Sequence, residues 1–81
     1  VYNQLGLIKL ERGSYEEALT YFPTGLSSGD LNAKKSLSYN EAITYEYLLD
    51  FQTAREKFAA YIAAYPEDSA AVREYEFLKT R

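Results

Sequence analysis

One ten-residue pattern occurs twice in this chain and limits the folds open to it more than any other feature. The first copy is residues 13–22, GSYEEALTYF, and the second is residues 49–58, LDFQTAREKF, which begins 36 residues later. In each copy an aromatic residue is followed after three residues by alanine and after seven by phenylalanine. A fixed period of about 20 to 50 residues is typical of folds built from stacked copies of one unit. The chain is therefore predicted to contain two such copies.

Apolar residues follow a helical period through most of the chain, and no segment has the alternation expected of a strand. Turn signals separate five predicted helices, whose approximate ranges are 1–11, 15–26, 30–49, 51–65 and 69–79. Because the connections between them are short, neighbouring helices are expected to run antiparallel. The predicted fold class is all-α.

Several residues predict how individual helices begin, bend and end. Ser14 and Glu17 have the spacing of a capping box at the start of the second helix. Pro23 is expected to bend that helix without ending it, and Gly29 is a plausible left-handed cap after it. Gly6 lies within the first helix, where glycine is unfavourable, so another backbone is expected to approach it closely.

The bulk composition excludes several classes of partner. The 81 residues form at most one small domain, and an apolar content of 47% argues against disorder. The net charge is −3 and no basic run is longer than Lys34-Lys35, so neither nucleic acid nor an anionic membrane surface is an expected partner. No apolar run reaches the ~20 residues of a membrane span, so membrane insertion is not expected.

The chain also lacks the residue types on which most catalytic and metal sites depend. It contains no histidine and no cysteine, which removes the common nucleophile–histidine pairs and most transition-metal sites. Glu16 and Glu17 are adjacent on a helix, so their carboxylates point apart and cannot act as a facing acid–base pair. We therefore expect no enzyme activity and no cofactor.

The combined pattern resembles the tetratricopeptide repeat, a helical hairpin of about 34 residues. In the first copy the matching residues are Tyr2, Leu5, Gly6, Gly13, Tyr15, Ala18 and Phe22. In the second copy they are Ala42, Tyr45, Asp50, Phe51, Ala54, Phe58 and Pro66. The resemblance implies two hairpins stacked as a short right-handed α-solenoid, with repeats at about 1–32 and 33–66 and a capping helix at about 69–81.

The sequence departs from the repeat pattern at several positions. Lys9 stands where an aromatic residue is expected, Glu41 where leucine is expected, and Asp30 where proline is expected. Pro23 is foreign to the pattern. The helical pattern is already under way at Val1, so we interpret the chain as a piece of a longer protein.

Two packing roles follow from the pattern. Small residues should lie where the two helices of a hairpin cross, and these are Gly6, Ala18, Ala42 and Ala54. Aromatic residues should fill the space between hairpins, and these are Tyr15, Phe22, Tyr45, Phe51 and Phe58.

The resemblance also implies a concave face built from the first, third and fifth helices. Tyr39 and Tyr47 are expected there, at positions where packing does not require them, and tyrosine and asparagine suit recognition of a peptide. The predicted peptide-binding residues are Asn3, Leu7, Leu10, Tyr39, Asn40, Ile43, Tyr47, Arg73 and Phe77. Too few of these are basic for the carboxylate-binding groove of some family members.

Two functional hypotheses remain open at this point. The first is a non-catalytic module that binds a peptide or protein segment in an apolar groove lined by tyrosine and asparagine. The alternative is a structural role, in which the chain closes the C-terminal end of a longer solenoid or pairs with its own copy. In the alternative the groove is filled internally.

Overall fold

A computed structural model describes residues 2–27 and 31–80, with the side chains of 31 and 32 left aside, and these ranges contain five α-helices. Their bounds are α1 Tyr2–Glu11, α2 Tyr15–Ser27, α3 Leu31–Tyr47, α4 Phe51–Ala64 and α5 Ser69–Leu78. The all-α prediction is confirmed, and α3 ends earlier than expected, at Tyr47. The cap predicted at Gly29 and the helix start predicted at Asp30 lie outside the described residues.

The helices pack in chain order, each mainly against the next, with a smaller contact between α1 and α3. Two clusters of buried residues form the core. One joins α2 to α3 and consists of Ala18, Phe22 and Leu37. The other joins α3, α4 and α5 and consists of Ala42, Ala54, Phe58, Tyr61, Ala71 and Leu78. Helix α3 contributes to both clusters and so lies between the two parts of the core.

The end of α1 is closed by a glycine in the left-handed conformation. Gly13 has a φ of 79°. Its N–H donates to the carbonyl of Leu10 at 3.1 Å, and the N–H of Ser14 donates to the carbonyl of Lys9 at 2.8 Å. This is the Schellman arrangement of a helix C-terminus. The predicted capping box is wrong, because the Ser14 N–H is already bonded to Lys9 and the Glu17 carboxylate lies 3.0 Å from the Lys9 ammonium instead.

The end of α3 repeats this arrangement 36 residues later with leucine in place of glycine. Leu49 has a φ of 64°, and its side chain is 72% exposed. Its N–H donates to the carbonyl of Glu46, and the N–H of Asp50 donates to the carbonyl of Tyr45, both at 3.0 Å. Asp50 then caps α4 by accepting from the Thr53 N–H. A leucine in this conformation is strained, since its Cβ crowds the neighbouring carbonyl oxygen.

Gly6 lets the ring of Phe22 lie directly against the backbone of α1. A Cβ built on Gly6 would be 2.7 Å from Phe22 Cζ and 2.8 Å from Cδ1, distances that side chains do not tolerate. Phe22 is fully buried and belongs to the same cluster as Leu37 of α3. The close approach predicted at Gly6 occurs, but a side chain, the Phe22 ring, makes it and not another backbone.

As predicted, Pro23 does not end α2. The helix continues to Ser27. Proline removes one backbone donor from the helix. Two hydroxyl groups that follow it in the helix add hydrogen bonds to backbone carbonyls, with Thr24 Oγ1 donating to the Thr20 carbonyl at 2.6 Å and Ser27 Oγ donating to the Pro23 carbonyl at 3.1 Å.

Glu41, which stands where the repeat pattern has leucine, is buried in α3 with an exposure of 6%. Its carboxylate lies 3.3 Å from the Lys57 ammonium of α4. A buried carboxylate is costly unless it is paired, so Lys57 explains how the charge is accommodated at this position.

Replacing Gly6 by alanine should destabilise the chain by about 1–3 kcal/mol, because the added methyl group overlaps the Phe22 ring. At an unconstrained helical position the same change stabilises by up to ~1 kcal/mol, so the sign of the effect is diagnostic. Chemical denaturation followed by circular dichroism measures it. An increase in stability would show that Gly6 is not a point of close contact.

Replacing Leu49 by glycine should stabilise the chain by about 0.5–1 kcal/mol, because the strain of a left-handed leucine exceeds the entropy that glycine gains on unfolding. The matched control is Gly13→Ala at the corresponding end of α1, which should destabilise. Both variants are compared by thermal unfolding, and equal shifts in the same direction would contradict the assignment of the two turns.

Candidate functional site

Tyr39 and Tyr47, the two tyrosines predicted to share the concave face, lie on different sides of α3. Tyr39 is half-buried and meets the rings of Phe58 and Tyr61 edge-on, with centroids 5.6 Å and 5.5 Å away. Tyr47 is 56% exposed and stacks on Tyr15 of α2 at 5.4 Å with an interplanar angle of 8°. Eight residues turn a helix by about 800°, which leaves the two side chains about 80° apart.

The prediction that packing does not require these tyrosines is therefore wrong for Tyr39, which packs against the α3–α5 core cluster. Tyr15, which was predicted to pack between hairpins, stacks on Tyr47 and so joins α2 to α3. Edge-on and stacked ring pairs each contribute stability beyond the area that they bury.

The two predicted asparagines are brought together. Asn40 Nδ2 of α3 donates to Asn3 Oδ1 of α1 at 2.7 Å, in a partly buried position. Asn40 Oδ1 and Asn3 Nδ2 have no hydrogen-bond partner among the described residues. The pair therefore presents one acceptor and one donor group, which is the combination that an extended peptide backbone can bind.

The remaining predicted residues divide between the core and the surface. Leu10 packs against the Ala18–Phe22–Leu37 cluster and Ile43 against the α3–α5 cluster, so both help to form the core. Leu7 is half-buried, while Arg73 and Phe77 are exposed on α5. Leu10 and Ile43 lie on the sides of their helices that contact neighbouring helices. The helical period of the sequence does not show which side of a helix makes such contacts.

A cleft of about 250 Å³ lies between α3 and the start of α5 and includes two of the predicted residues. Its lining consists of Lys35, Ser36, Tyr39, Asn40, Tyr61, Asp68 and Ala70. Small-molecule pockets usually have volumes of about 300–1,000 Å³. The cleft is thus better matched to a single side chain than to a whole small-molecule ligand.

Asp68 organises one wall of this cleft. Its Oδ2 accepts a hydrogen bond of 2.7 Å from the Tyr61 hydroxyl, and its Oδ1 accepts from the Ala71 N–H at 3.2 Å, which caps α5. The hydrogen bond from Tyr61, followed by that from Ala71, lowers the pKa of Asp68. Burial, followed by the bond to Asp68, raises the pKa of Tyr61.

The electrostatic environment of Tyr39 is negative. Burial is the largest cause that raises the pKa of the Tyr39 hydroxyl, followed by the charges of Glu74, Asp68 and Glu46. Lys35 also lines the cleft, and its ammonium lies 5.3 Å from the centroid of the Tyr65 ring.

Five residues of the cleft were absent from the predicted site: Lys35, Ser36, Tyr61, Asp68 and Ala70. In the sequence, Asp68 is an acidic residue just before the predicted fifth helix, and Tyr61 is an aromatic residue within the predicted fourth helix. Their meeting depends on how α4 and α5 are joined, which no local signal encodes.

No protein-family model, curated protein or solved structure matches this chain. Within residues 2–27 and 31–80, no helix combines the length and hydropathy of a membrane span. The same ranges contain no group of three or more histidine, cysteine or acidic residues placed to hold a metal ion.

Replacing Asp68 by asparagine should make stability less sensitive to acid. Because the pKa of Asp68 is lower in the folded chain, its contribution is present above the ordinary value of 3.8 and is lost as the pH falls through the folded value. Denaturation at a series of pH values between about 2 and 6 measures this dependence. Tyr61→Phe is the control that removes only the hydroxyl bond, and it should reduce the acid sensitivity in part. An unchanged pH profile in both variants would contradict the role given to Asp68.

Proposed function

We propose that this chain is a non-catalytic interaction module that binds an extended peptide segment of another protein across α1, α3 and the start of α5. The cleft between α3 and α5 is the observation that carries the proposal. It takes one side chain of the peptide, while the neighbouring asparagine pair bonds the peptide backbone. The proposal involves no catalytic step, cofactor, nucleic acid or membrane insertion.

We also propose the finer architecture, namely two tetratricopeptide hairpins stacked as a right-handed α-solenoid with α5 as a capping helix. The support lies in residues that correspond across the 36-residue period. Ala18 and Ala54 are both fully buried, as are Phe22 and Phe58. Gly13 and Leu49 both close a helix in the left-handed conformation. Such matching environments are expected when two copies of one unit stack.

The polar groups that remain available suit a peptide backbone. The Tyr39 hydroxyl has no hydrogen-bond partner among the described residues, and Asn40 lines the same cleft. The Tyr39 ring is held by Phe58 and Tyr61, so little side-chain entropy is lost when a ligand packs on it. A held aromatic ring beside available donors and acceptors is a favourable surface for binding.

The charges around the cleft favour a peptide with a basic residue. Asp68, Glu74 and Glu46 all act on the Tyr39 hydroxyl, whereas Lys35 is the single basic residue in the lining and its ammonium lies over the Tyr65 ring. A lysine or arginine side chain in the cleft would be attracted by these carboxylates and could lie against the tyrosine ring. An acidic side chain would be repelled by the same groups.

Replacing Ala70 by glutamine should weaken peptide binding at least about tenfold, because the longer side chain fills the cleft without touching the core. Ala70 is exposed at the start of α5. The matched control is Ala63→Gln, at an exposed position on α4 that does not line the cleft. Affinities are measured by fluorescence anisotropy, using peptides selected from a random display library on the immobilised chain.

A second set of peptides tests the chemistry of the ligand. Each selected sequence is compared with a version in which its basic residue is replaced by glutamate, and the basic version should bind more tightly. If Ala70→Gln and Ala63→Gln bind equally well, the peptide does not occupy the cleft. If the library yields no binder, the alternative is favoured, in which the groove is filled internally and the chain has a structural role.

A further inference from the structure

Helix α1 exposes large apolar side chains on the side away from the rest of the chain. Leu5 is 38% exposed and Ile8 is 45% exposed, and they are three residues apart on one face of the helix. Tyr2, at the edge of this face, is 39% exposed although its Cβ lies near Gly25. We call the surface of Leu5 and Ile8 the outer face of α1.

The corresponding positions in α3 are buried. Glu41 and Thr44 follow Leu5 and Ile8 by 36 residues, and they are 6% and 0% exposed. Both are polar and have partners, since Glu41 pairs with Lys57 and the Thr44 hydroxyl donates to the Asn40 carbonyl. This is the reverse of what is usual in folded proteins, because the apolar residues of α1 are exposed while the polar residues at the corresponding positions of α3 are buried.

The difference follows from the neighbours of each helix. Helix α1 packs on α2 as α3 packs on α4. Helix α3 has a further extensive contact, with α2 of the preceding pair, and α1 has no counterpart to it among the described residues. Leu37 lies one helical turn before Glu41 and two turns before Thr44, and it packs with Phe22 of α2. The outer face of α1 therefore corresponds to the side of α3 that the preceding pair covers.

We propose that the outer face of α1 docks a further helical hairpin of the same kind, supplied from outside these 81 residues. Its second helix would lie on α1 as α2 lies on α3, which continues the interface already present within the chain. The α2 surface shows what this helix requires. A Cβ built on Gly25 would be 2.9 Å from Leu37 Cδ2, so a small residue is needed at the closest approach.

A second copy of the chain does not meet this requirement while it is folded as described. The surfaces of α2 and α4 that would serve are already covered, by α3 and α5 respectively. The proposed surface is also separate from the cleft between α3 and α5, so the two proposals can fail independently.

The test adds one period to the chain. Residues 1–36 are fused ahead of residues 1–81, which keeps the 36-residue spacing and places an α2 sequence before the original α1. We expect Tm to rise by at least about 5 °C. Amide hydrogen exchange in the original α1 should slow by about tenfold or more. This is the change expected if the equilibrium constant for local opening of α1 falls tenfold.

The control carries Leu5→Glu and Ile8→Glu in the original α1 of the fusion. These changes should abolish both gains, while in the 81-residue chain they should leave Tm nearly unchanged because the positions are exposed. A fusion that gains neither stability nor α1 protection overturns the proposal. Sedimentation at several concentrations provides a further check. Dimerisation of the 81-residue chain that the two glutamates abolish would also overturn it, because the occupant would then be a second copy.

Discussion

The contact between the Gly6 backbone and the Phe22 ring sets how closely α1 and α2 lie, and the rest of the row depends on that spacing. Phe22 is placed deep enough to join Leu37 of α3 in one cluster. Ala42 has the corresponding position 36 residues after Gly6, and it is fully buried in the same cluster as Phe58. Small residues therefore determine how far apart paired helices lie, and the large residues that pack against them also contact the next helix, as expected in a close-packed interior.

Helix α3 carries most of the functional consequences because it contacts helices on both sides. Its Tyr39 ring packs against α4, while the same residue lines the cleft. Stability and recognition are thus coupled at one side chain, so removing the whole ring would disturb the fold as well as the surface. This is why a substitution at the rim, such as Ala70, separates binding from folding more cleanly.

Polar side chains inside the row join helices at defined points. The Asn3–Asn40 bond links α1 to α3, the Glu41–Lys57 pair links α3 to α4, and the Tyr61–Asp68 bond links α4 to the start of α5. Each would be costly if one partner were missing, since a buried polar group that loses its partner keeps its desolvation cost. Apolar residues on the outer face of α1 have no such partners, and that contrast motivates the docking proposal.

The sequence by itself determined the five helices, the end of α1 ahead of Gly13, the passage of α2 through Pro23 and the need for a small residue at Gly6. These features depend on local periodicity, backbone sterics and side-chain size, which can be inferred from the order of residues in the chain. Only the tertiary structure decided that Tyr39 and Tyr47 face different neighbours and that Ser14 bonds Lys9 in place of Glu17. It also decided that Asp68 meets Tyr61. These outcomes depend on the rotation of each helix about its axis and on the route of the connections, to which residues distant in sequence contribute.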